Sequence, residues 1–525
     1  MHEWMTYPIE IIQKKYAGGC GSTFAEKLSK LHVSCDDIHR WNGERGAMAN
    51  LSLSGFADAD IDLIHEATVA ILEKTGVRVA SQEAAEIYQG YGAHTEKDGD
   101  GFRVKIPAHL MEECVRLAPG KITLYGRDPG HDVVLEKGFS CFTLFGENVR
   151  IIDPYTLTLR ACTKKDLGQA TRVADALDEI AIVEKCMGSH EKPAHTQSLH
   201  NYEAMVTNTG KHVLHGFFSA ENTRKIVEMA AACSGGMAAF QKRPCVTCVV
   251  CPTSPLTLVK QCCEVIIEAA RCGVGLCCVT MPLSGITAPT TLAGTLAVQN
   301  AELLSALTLA QLVRKHTPFI YGSCATIMDL KTGNPAMGAP ENGLLTAATA
   351  RLAQYYDVPS WCGAGITGSK IPDAQAAYEF VLNTSLARLS GANILFSCGG
   401  IEYGLTFDYA KLVMDAEYIK KLDLAARGLD VSPEALALDV ITDVGPAGEF
   451  LTHAHTMRHM RGMSAGGLFD RSSRDAWEEN AGGRSVTERA YEKAREILET
   501  HRPLPLPDGA AARMKSIIAE MEVNQ

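Results

Sequence analysis

Residues 244–281 read PCVTCVVCPTSPLTLVKQCCEVIIEAARCGVGLCCVTM. Two short apolar runs, 244–250 and 275–281, enclose a longer segment, 258–271, whose apolar residues recur with a helical period. This order predicts two parallel strands joined by a crossover helix. The runs are apolar throughout because the strands of a parallel sheet are buried on both faces.

The same alternation of short apolar runs and helical segments continues from about residue 180. The predicted strands are 180–186, 213–218, 244–250, 275–281, 318–321, 358–363 and 393–397. The predicted helices between them are 222–233, 258–271, 292–313, 342–356 and 374–389. Seven such units, with an eighth strand at either 141–145 or 440–444, favour an α/β fold of the (β/α)8 TIM-barrel type over an open doubly wound sheet.

The segments outside this alternation predict an N-terminal α/β extension and C-terminal helices. We divide the chain into an arm at 1–50, an α/β cap at 51–140, the barrel at 141–450 and a helical extension at 451–525. In the cap, Ile61, Ile64 and Ile71 share one face of a helix that Gly76 is placed to end. In the extension, helices are predicted at 486–500 and 509–521.

Composition narrows the class of protein. The chain has 525 residues and a net charge of -11, which disfavours nucleic acids and anionic membranes as partners. Its 18 cysteines are too sparse for a disulfide scaffold. Residues 272–301 lack charge, but prolines, glycines and threonines interrupt them, which predicts buried structure and not a membrane span. Residues 1–15 do not resemble a signal peptide, so we expect a cytoplasmic protein.

In a TIM barrel the active site lies at the carboxyl ends of the strands. The residues predicted there are mostly glycine, serine, threonine, proline, cysteine and aromatic, with few lysines or arginines, which favours a small neutral or cationic substrate over an anionic one. Aromatic faces and carboxylates bind such cations. The aromatic candidates are Phe142, Phe145, Phe217, Tyr321, Trp361 and Tyr403, and the acidic candidates are Glu147, Asp329, Glu341 and Asp373. For Glu341, helix capping is the competing interpretation.

Three motifs leave alternatives open. Cys245, Cys248 and Cys251 have iron–sulfur spacing, but they fall in a predicted strand that would place Cys248 on the opposite face. His453, His455 and His459 include an i, i+4 pair that a metal could use, although zinc prefers a further strong ligand, and the solvated helix face is the other interpretation. Residues 363–368, GAGITG, fit the dinucleotide pattern, but no helix opens directly after them.

Several segments resemble the trimethylamine methyltransferase (MttB-like) family. They include CPTSPL at 251–256, SGITAPTTLAGTLAVQNAELLSALTLAQL at 284–312, YGSCATIMDLKTG at 321–333, and GANILFSCGGIEYGLTF at 391–407. The resemblance covers nearly the whole chain from about residue 51. It implies a β/α barrel, and an enzyme that moves a methyl group from an amine to the cobalt of a separate corrinoid protein.

The resemblance also locates a difference. The archaeal trimethylamine enzymes carry pyrrolysine in the loop that reads CGAGITGSKIPDAQ here, at 362–375, and the equivalent position falls on Ile366 or a direct neighbour. The pyrrolysine-free branch of the family resembles demethylases of quaternary amines. A quaternary nitrogen leaves as a neutral tertiary amine, so attack by cobalt(I) needs positioning and exclusion of water but no general acid.

From this resemblance we expect transfer of a methyl group from glycine betaine to cob(I)alamin on a cognate corrinoid protein. The chain lacks the D-x-H-x-x-G corrinoid signature, so no tightly bound cofactor is expected in it. The expected catalytic residues are Glu341, Tyr321 and His215, and the expected substrate-binding residues are Phe142, Phe145, Glu147, Phe217, Ile366, Asp373 and Gln375. No metal ligand is assigned, and a homo-oligomer is expected from base rates.

Three alternatives to this function remain open from the residues. The first keeps the chemistry and changes the donor to carnitine, proline betaine or γ-butyrobetaine. The second is a protein that binds a quaternary amine without turnover. The third is a metal-dependent methyltransferase built on the histidines of 453–459.

Overall fold

The computed structural model describes residues 47–48, 56–464 and 466–523. The predicted arm at 1–50 therefore lies outside the described residues except for Ala47–Met48, a short strand. The described residues fall into two compact units: those within 45–431 and 465–525 form the larger one, and residues 432–464 belong to the smaller one.

The larger unit is built on a closed barrel of eight parallel strands. In chain order these are β1 (Phe139–Phe142), β2 (Val183–Glu184), β3 (Val213–Gly216), β4 (Val246–Val250), β5 (Gly275–Thr280), β6 (Phe319–Ser323), β7 (Ser360–Cys362) and β8 (Ile394–Leu395). From β2 to β8 each strand pairs in parallel with the next, and β8 pairs with β1 through Cys141 opposite Ile394. The seam between β1 and β2 is closed by a parallel bridge from Phe142 to Ile180, where the Ala181 N–H donates to the Phe142 carbonyl at 3.1 Å.

One major helix follows each strand, as the (β/α)8 fold requires. The helices are α1 (Lys164–Ala176), α2 (Gln197–Val206), α3 (Ala220–Cys233), α4 (Lys260–Cys272), α5 (Leu292–Val313), α6 (Pro340–Tyr355), α7 (Ala374–Leu389) and α8 (Tyr409–Ala426). A short additional helix, Met237–Lys242, follows α3. The predicted TIM-type barrel is confirmed, and the predicted bounds of α5 and α7 coincide with the observed ones.

The position of the eighth strand is resolved in favour of the N-terminal candidate. Its strand begins at Phe139 and not at 141, and residues 440–444 belong to a helix, Leu438–Val444, in the smaller unit. The last barrel helix ends at Ala426, well before the predicted domain boundary near residue 450.

The alternation of side chains along each strand separates two apolar layers. Ile320 and Trp361 belong to the cluster that fills the barrel, whereas Tyr321 belongs to the cluster between strands and helices. The Tyr321 hydroxyl donates to Asn300 Oδ1 of α5 at 2.9 Å. Each strand is covered by helices on one side and by the barrel interior on the other, so neither of its faces is exposed to solvent and both pack in apolar layers.

Helix α5 is the most apolar helix of the chain and packs in the core. By length and composition it is the one helix among the described residues that could cross a bilayer, but 89% of its most apolar window is buried inside the structure. Its buried Asn300 is hydrogen-bonded inside the protein: it donates to Thr68 Oγ1 at 2.9 Å and to the Tyr356 hydroxyl at 2.7 Å. Helix Asp58–Ala70 and helix Ala108–Leu117 pack against α5.

The remaining parts of the larger unit flank the barrel. Before it come helix Gln82–Gly90, strands Val77–Val79, His94–Asp98 and Gly101–Lys105 in a sheet completed by Thr257–Leu258, and the pair Ile122–Leu124 with Val133–Leu135. Short strands at Arg150–Ile152, Leu159–Ala161, Gly400–Ile401 and Thr406–Asp408 form a sheet, and Leu283–Ser284, Thr326–Asp329 and Asn334–Pro335 form another. After helix Arg474–Ala481 come α9 (Val486–Thr500) and α10 (Ala510–Val523), which pack against α8 and α3.

The described part of the smaller unit, 432–464, consists of short helices. They are Pro433–Leu436, Leu438–Val444, Ala454–His459 and the 3-10 turn Met460–Gly462. The His455 and His459 rings lie 4.2 Å apart, while His453 Nε2 lies 3.3 Å from Asp443 Oδ2. Across the ranges that the structure describes, no three histidine, cysteine or acidic residues are grouped closely enough to hold a metal ion.

Candidate active site

A cavity of about 480 Å³ lies at the carboxyl ends of the barrel strands. This is the end at which TIM-barrel enzymes bind their substrates, and the volume suits a small molecule. Polar lining residues are Glu147, Glu184, Lys185, His215, Gln261 and Ser397; apolar and sulfur-containing ones include Phe145, Phe218, Cys251, Met281, Cys324, Met337, Ile366, Tyr403 and Leu405. The lining is therefore largely apolar, with a few polar groups directed at one space.

Glu184 supplies a buried carboxyl group at the end of β2. Trp361 Nε1 donates to its Oε2 at 2.8 Å, and its Oε1 has no hydrogen-bond partner among the described residues. Burial raises the pKa of Glu184 well above its usual value, and the Trp361 hydrogen bond and the charge of Lys185 only partly oppose this. Burial therefore favours the neutral form of the carboxyl group, and a cation in the cavity would favour the ionised form.

Three aromatic rings beneath the cavity are packed in one rigid group. Trp361 stacks on Phe396 with ring centroids 3.5 Å apart and planes inclined by 17°. Phe145 meets both rings edge-on, at 4.8 Å from each centroid. Phe145 lines the cavity, so the stacked pair fixes the orientation of a ring that is available to a ligand.

Lys185 and Glu147 form an ion pair beside the cavity. The Lys185 side chain is 5% exposed, whereas that of Glu147 is 63% exposed. The Lys185 ammonium also lies 5.8 Å from the centroid of the Phe218 ring. The pair thus joins a buried cation to a carboxylate that reaches into solvent.

His215 is a neutral hydrogen-bond acceptor. Its Nε2 lies 2.8 Å from the Ser198 carbonyl, which can only accept, so the ring proton is assigned to Nε2. The buried Nδ1 has no partner among the described residues. Burial, and after it the charge of Lys185, lowers the pKa of His215 to about 3. The ring is therefore not a proton donor to substrate at neutral pH, and its free lone pair remains available.

Three residues with a strained backbone line the same cavity. Phe218, Ser397 and Tyr403 all line it and have positive φ angles of 62°, 83° and 60°. The buried Ser397 hydroxyl has no partner among the described residues. The turn that carries Tyr403 is held by Arg150, whose Nη2 lies 2.8 Å from both carboxylate oxygens of Glu402. Strained residues of this kind cluster at functional sites, where the surrounding structure holds them in place.

The structure brings four of the ten predicted site residues to the cavity. Phe145, Glu147, His215 and Ile366 line it. Ile366 is 3% exposed and belongs to the apolar cluster inside the barrel.

The other six predicted residues do not line the cavity. Phe142, Phe217 and Tyr321 are buried in the layer between strands and helices. Phe142 and Tyr321 belong to β1 and β6, and strand alternation turns them away from the interior. Asp373 caps α7 and accepts from the Ala376 N–H at 3.1 Å. Gln375 is exposed and donates to Glu379 at 2.8 Å, and Glu341 lies in the first turn of α6.

Sequence reasoning missed Glu184 and Lys185. Both fall inside the predicted strand 180–186, which was interpreted as an apolar run. Two adjacent charged residues at the carboxyl end of a buried barrel strand are the signal that could have identified them, because charges are rarely buried without a function or a partner.

Among the described residues, Cys245, Cys248 and Cys251 are not grouped closely enough to hold a metal ion together. Cys245 and Cys248 are buried, and Cys251 is exposed at the cavity. Burial raises the pKa of Cys245, and that of Cys248 is raised well above its usual value for the same reason.

Comparison with known proteins identifies the family. A sequence model of the family described as "Trimethylamine methyltransferase (MTTB)" matches residues 40–524. The trimethylamine methyltransferase MttB of Desulfitobacterium hafniense strain DCB-2 is 44% identical over 90% of this chain and 94% of its own. The MttB of Methanosarcina thermophila is 33% identical over 88% of this chain and 96% of its own. The glycine betaine methyltransferase of D. hafniense strain Y51 is 30% identical over 88% and 95%.

These matches cover the barrel and the regions on both sides of it, so they concern the whole enzyme and not one shared domain. They support transfer of methyl groups from methylated amines, without identifying the amine. The chain is a methyltransferase, and it belongs to the trimethylamine methyltransferase (MTTB) family.

Proposed function

We propose that this enzyme transfers a methyl group from a quaternary amine, with glycine betaine as the first candidate, to the cobalt(I) of a corrinoid carried by a separate protein. The observation that carries the proposal is Ile366. It lines the cavity with an aliphatic side chain at the position, or next to the position, where the archaeal trimethylamine enzymes carry pyrrolysine. An aliphatic chain forms no covalent or acid–base contact with a tertiary amine, which favours a donor that is already activated.

A quaternary amine is activated by its own charge. The methyl carbon accepts the cobalt(I) electron pair, the C–N bond breaks, and the pair of electrons from that bond stays on nitrogen. The nitrogen leaves as a neutral tertiary amine, dimethylglycine in the case of glycine betaine, and no proton is needed. The tasks left to the protein are to bind the cation, align its methyl group and exclude water.

The lining of the cavity supports these tasks. Phe145, Phe218 and Tyr403 offer aromatic faces to an N-methyl group. Glu184 Oε1 has no hydrogen-bond partner among the described residues, and a bound cation would favour ionisation of this carboxyl group. The carboxylate would then attract the cation. His215 has a pKa of about 3 and is neutral at physiological pH, so it does not act as a general acid in the reaction.

Exposed apolar residues near the mouth of the barrel support docking of a partner that carries a flat macrocycle. Met281, Ile286 and Leu330, in the segments that follow β5 and β6, are 40%, 60% and 73% exposed. Leu405, which lines the cavity, is 43% exposed. Exposed apolar side chains next to a binding site favour an interaction surface, so we propose a corrinoid-binding protein as the partner at this face.

Trimethylamine is the competing substrate. The 44% identical relative is named a trimethylamine methyltransferase, whereas the glycine betaine enzyme is 30% identical. A neutral Glu184 could also donate a proton to a tertiary amine, which would replace activation by pyrrolysine. Carnitine, proline betaine and γ-butyrobetaine are longer donors for the same chemistry, and the cavity volume of about 480 Å³ is large enough to admit them.

The test is an anaerobic assay with the purified enzyme and free cob(I)alamin. Each of the four quaternary amines and trimethylamine is supplied separately, with cob(I)alamin consumption followed by absorbance and the demethylated amine measured by mass spectrometry. Turnover with a quaternary amine and none with trimethylamine supports the proposal. Turnover with trimethylamine alone refutes it. If free cob(I)alamin gives no turnover, the assay is repeated with a co-purified corrinoid protein, and absence of quaternary-amine turnover there also refutes it.

A further inference from the structure

Three lysines of the barrel are buried, and one differs from the others in its partner. The Lys211 ammonium donates to the carbonyls of Ala174, Leu177 and Ile180 at 2.7, 2.8 and 2.6 Å. Lys411 is paired with Asp415, and both side chains are fully buried. These two cations are enclosed by fixed groups of the fold, as buried charges require.

Lys185 is buried to nearly the same degree, but its carboxylate partner is not. Glu147 belongs to the segment after β1 and its side chain is 63% exposed. A carboxylate with this exposure can return to water at little cost, because it is already largely solvated. The ammonium group of Lys185 is buried and cannot be solvated in the same way, so it still requires an anionic partner when Glu147 moves away. The pair therefore has one fixed and one exchangeable member.

The side chains of Glu184 and Lys185 occupy different places in the cavity. Glu184 and Lys185 are adjacent residues, with Cα atoms about 3.8 Å apart, and successive side chains of an extended segment point in opposite directions. Both line the same cavity, yet Glu184 binds Trp361 and Lys185 binds Glu147. One wall therefore offers a carboxyl group at one place and an ammonium group at another, which matches a ligand that carries a cation and an anion on one short chain.

We propose that Lys185 binds the carboxylate of the substrate, that Glu147 gives up its place to that carboxylate, and that the substrate class is therefore N-methylated amino acids and not simple cations such as choline. The inference rests on the proposed function, since it assumes that a quaternary amine occupies the cavity. It adds the group that recognises the other end of the molecule. The exchange keeps Lys185 paired throughout, so binding leaves no buried charge without a partner.

The experiment compares glycine betaine with choline, which has the same trimethylammonium group and a hydroxymethyl group in place of the carboxylate. Affinities are measured by isothermal titration calorimetry for the wild type, Lys185→Met, Lys185→Arg and Glu147→Gln. Lys121→Met is the control, because Lys121 forms an exposed ion pair with Glu136 at 2.7 Å and does not line the cavity. Lys185→Met is expected to fold, since the Glu147 that it leaves unpaired is solvated.

We expect the wild type to prefer glycine betaine over choline. Lys185→Met should weaken glycine betaine binding on the order of 10- to 100-fold, the size of a hydrogen bond to a charged group, and change choline binding by less than about threefold. Lys185→Arg should retain the preference. Glu147→Gln should bind glycine betaine more tightly, because the competing carboxylate is gone. Lys121→Met should match the wild type.

Three results would overturn the inference: a wild type without the preference, a Lys185→Met variant that keeps it, or equal losses for both ligands. Each of these can occur while the enzyme still demethylates a quaternary amine in the turnover assay, and then only the role of Lys185 fails. A wild type that neither binds nor demethylates any quaternary amine refutes the proposed function, and this inference with it.

Discussion

Replacing Glu184 by glutamine (Glu184→Gln) tests whether the cavity recognises a positive charge. Glutamine keeps the shape of the side chain and can still accept the hydrogen bond from Trp361 Nε1, which is 2.8 Å long in the native enzyme. It removes only the ability to ionise. The change should therefore weaken the binding of an ammonium group without altering the packing of the aromatic rings beneath it.

The magnitude follows from two opposing effects. A carboxylate and an ammonium about 4–5 Å apart attract each other by roughly 3–4 kcal/mol at an effective dielectric constant near 20. Burial raises the pKa of Glu184, and each pH unit by which that pKa exceeds the pH of the assay subtracts about 1.4 kcal/mol from this gain. We expect a net loss of about 1 to 3 kcal/mol in Glu184→Gln, or roughly 5- to 150-fold in Kd.

The pH dependence has a definite sign. The empty site holds Glu184 protonated, and a bound cation lowers its pKa, so binding releases a proton. The affinity of the wild type should therefore rise with pH until the pKa of the empty site is passed, while that of Glu184→Gln should stay flat. His215, with a pKa of about 3, does not titrate in this range, and Lys185 and Glu147 are present in both proteins.

The assay is calorimetric titration between pH 6 and 9 in buffers of different ionisation enthalpy, which reports proton release directly. Glycine betaine is compared with 3,3-dimethylbutanoate, which has the same shape and carboxylate but no charge on the quaternary centre. The variant should lose affinity for the first ligand and not for the second, and Glu136→Gln, remote from the cavity, should change neither. Equal affinities of wild type and Glu184→Gln for glycine betaine at every pH would refute the reasoning.

Four further outcomes follow from the structure. In thermal unfolding, Glu184→Gln should be more stable than the wild type at alkaline pH. The pKa of Glu184 is raised in the native state, so the stability that its protonated form contributes is complete below the unfolded pKa near 4.5 and is lost as the pH rises through the native pKa. A difference in stability that stays constant from about pH 4 to 9 would contradict this. Ile366→Ala should lower the free energy of unfolding by about 2–4 kcal/mol and favour carnitine over glycine betaine, with Ile366→Val losing only about 1 kcal/mol; denaturant titration and competition turnover measure the two effects. Lys411→Met should cost about 3–5 kcal/mol in denaturant titration, because it leaves Asp415 buried without its cation, whereas removing both charges should recover part of the loss. Glycine betaine should slow the labelling of Cys251 by N-ethylmaleimide, followed by mass spectrometry, and leave the half-buried Cys272 unaffected; equal rates with and without ligand would contradict the position of Cys251 at the site.

The barrel was predictable because its strands and helices differ in length and period along the sequence. The run at 275–281 became β5 and the segment 292–313 became α5 with only one residue of difference at one strand end. The eighth strand was not predictable in the same way, because 141–145 and 440–444 are both short and apolar. Only the pairing of Cys141 with Ile394, distant in sequence, distinguishes them, and local patterns carry no information about it.

The site was predictable only in part, for a related reason. A barrel strand is apolar on both faces, so its sequence does not tell which residues point inward. Tyr321 was expected at the substrate, but Ile320 faces the interior and Tyr321 donates to Asn300. Phe145, Glu147 and Ile366 were located better, because they lie in the loops after β1 and β7, which border the mouth of the barrel.

The packing of α9 and α10 bears on how the chain is synthesised. These helices cover α8 and α3: the Tyr491 hydroxyl donates to Asp408 at 2.5 Å, and Met514 meets the Cys233 thiol at 3.7 Å. They are translated well after β8, so the ribosome makes all eight strands before the outer wall of two barrel helices has its cover. During that interval the apolar faces of α3 and α8 are open to chaperones and to other nascent chains, and pausing of translation between residues 426 and 486 would prolong the exposure.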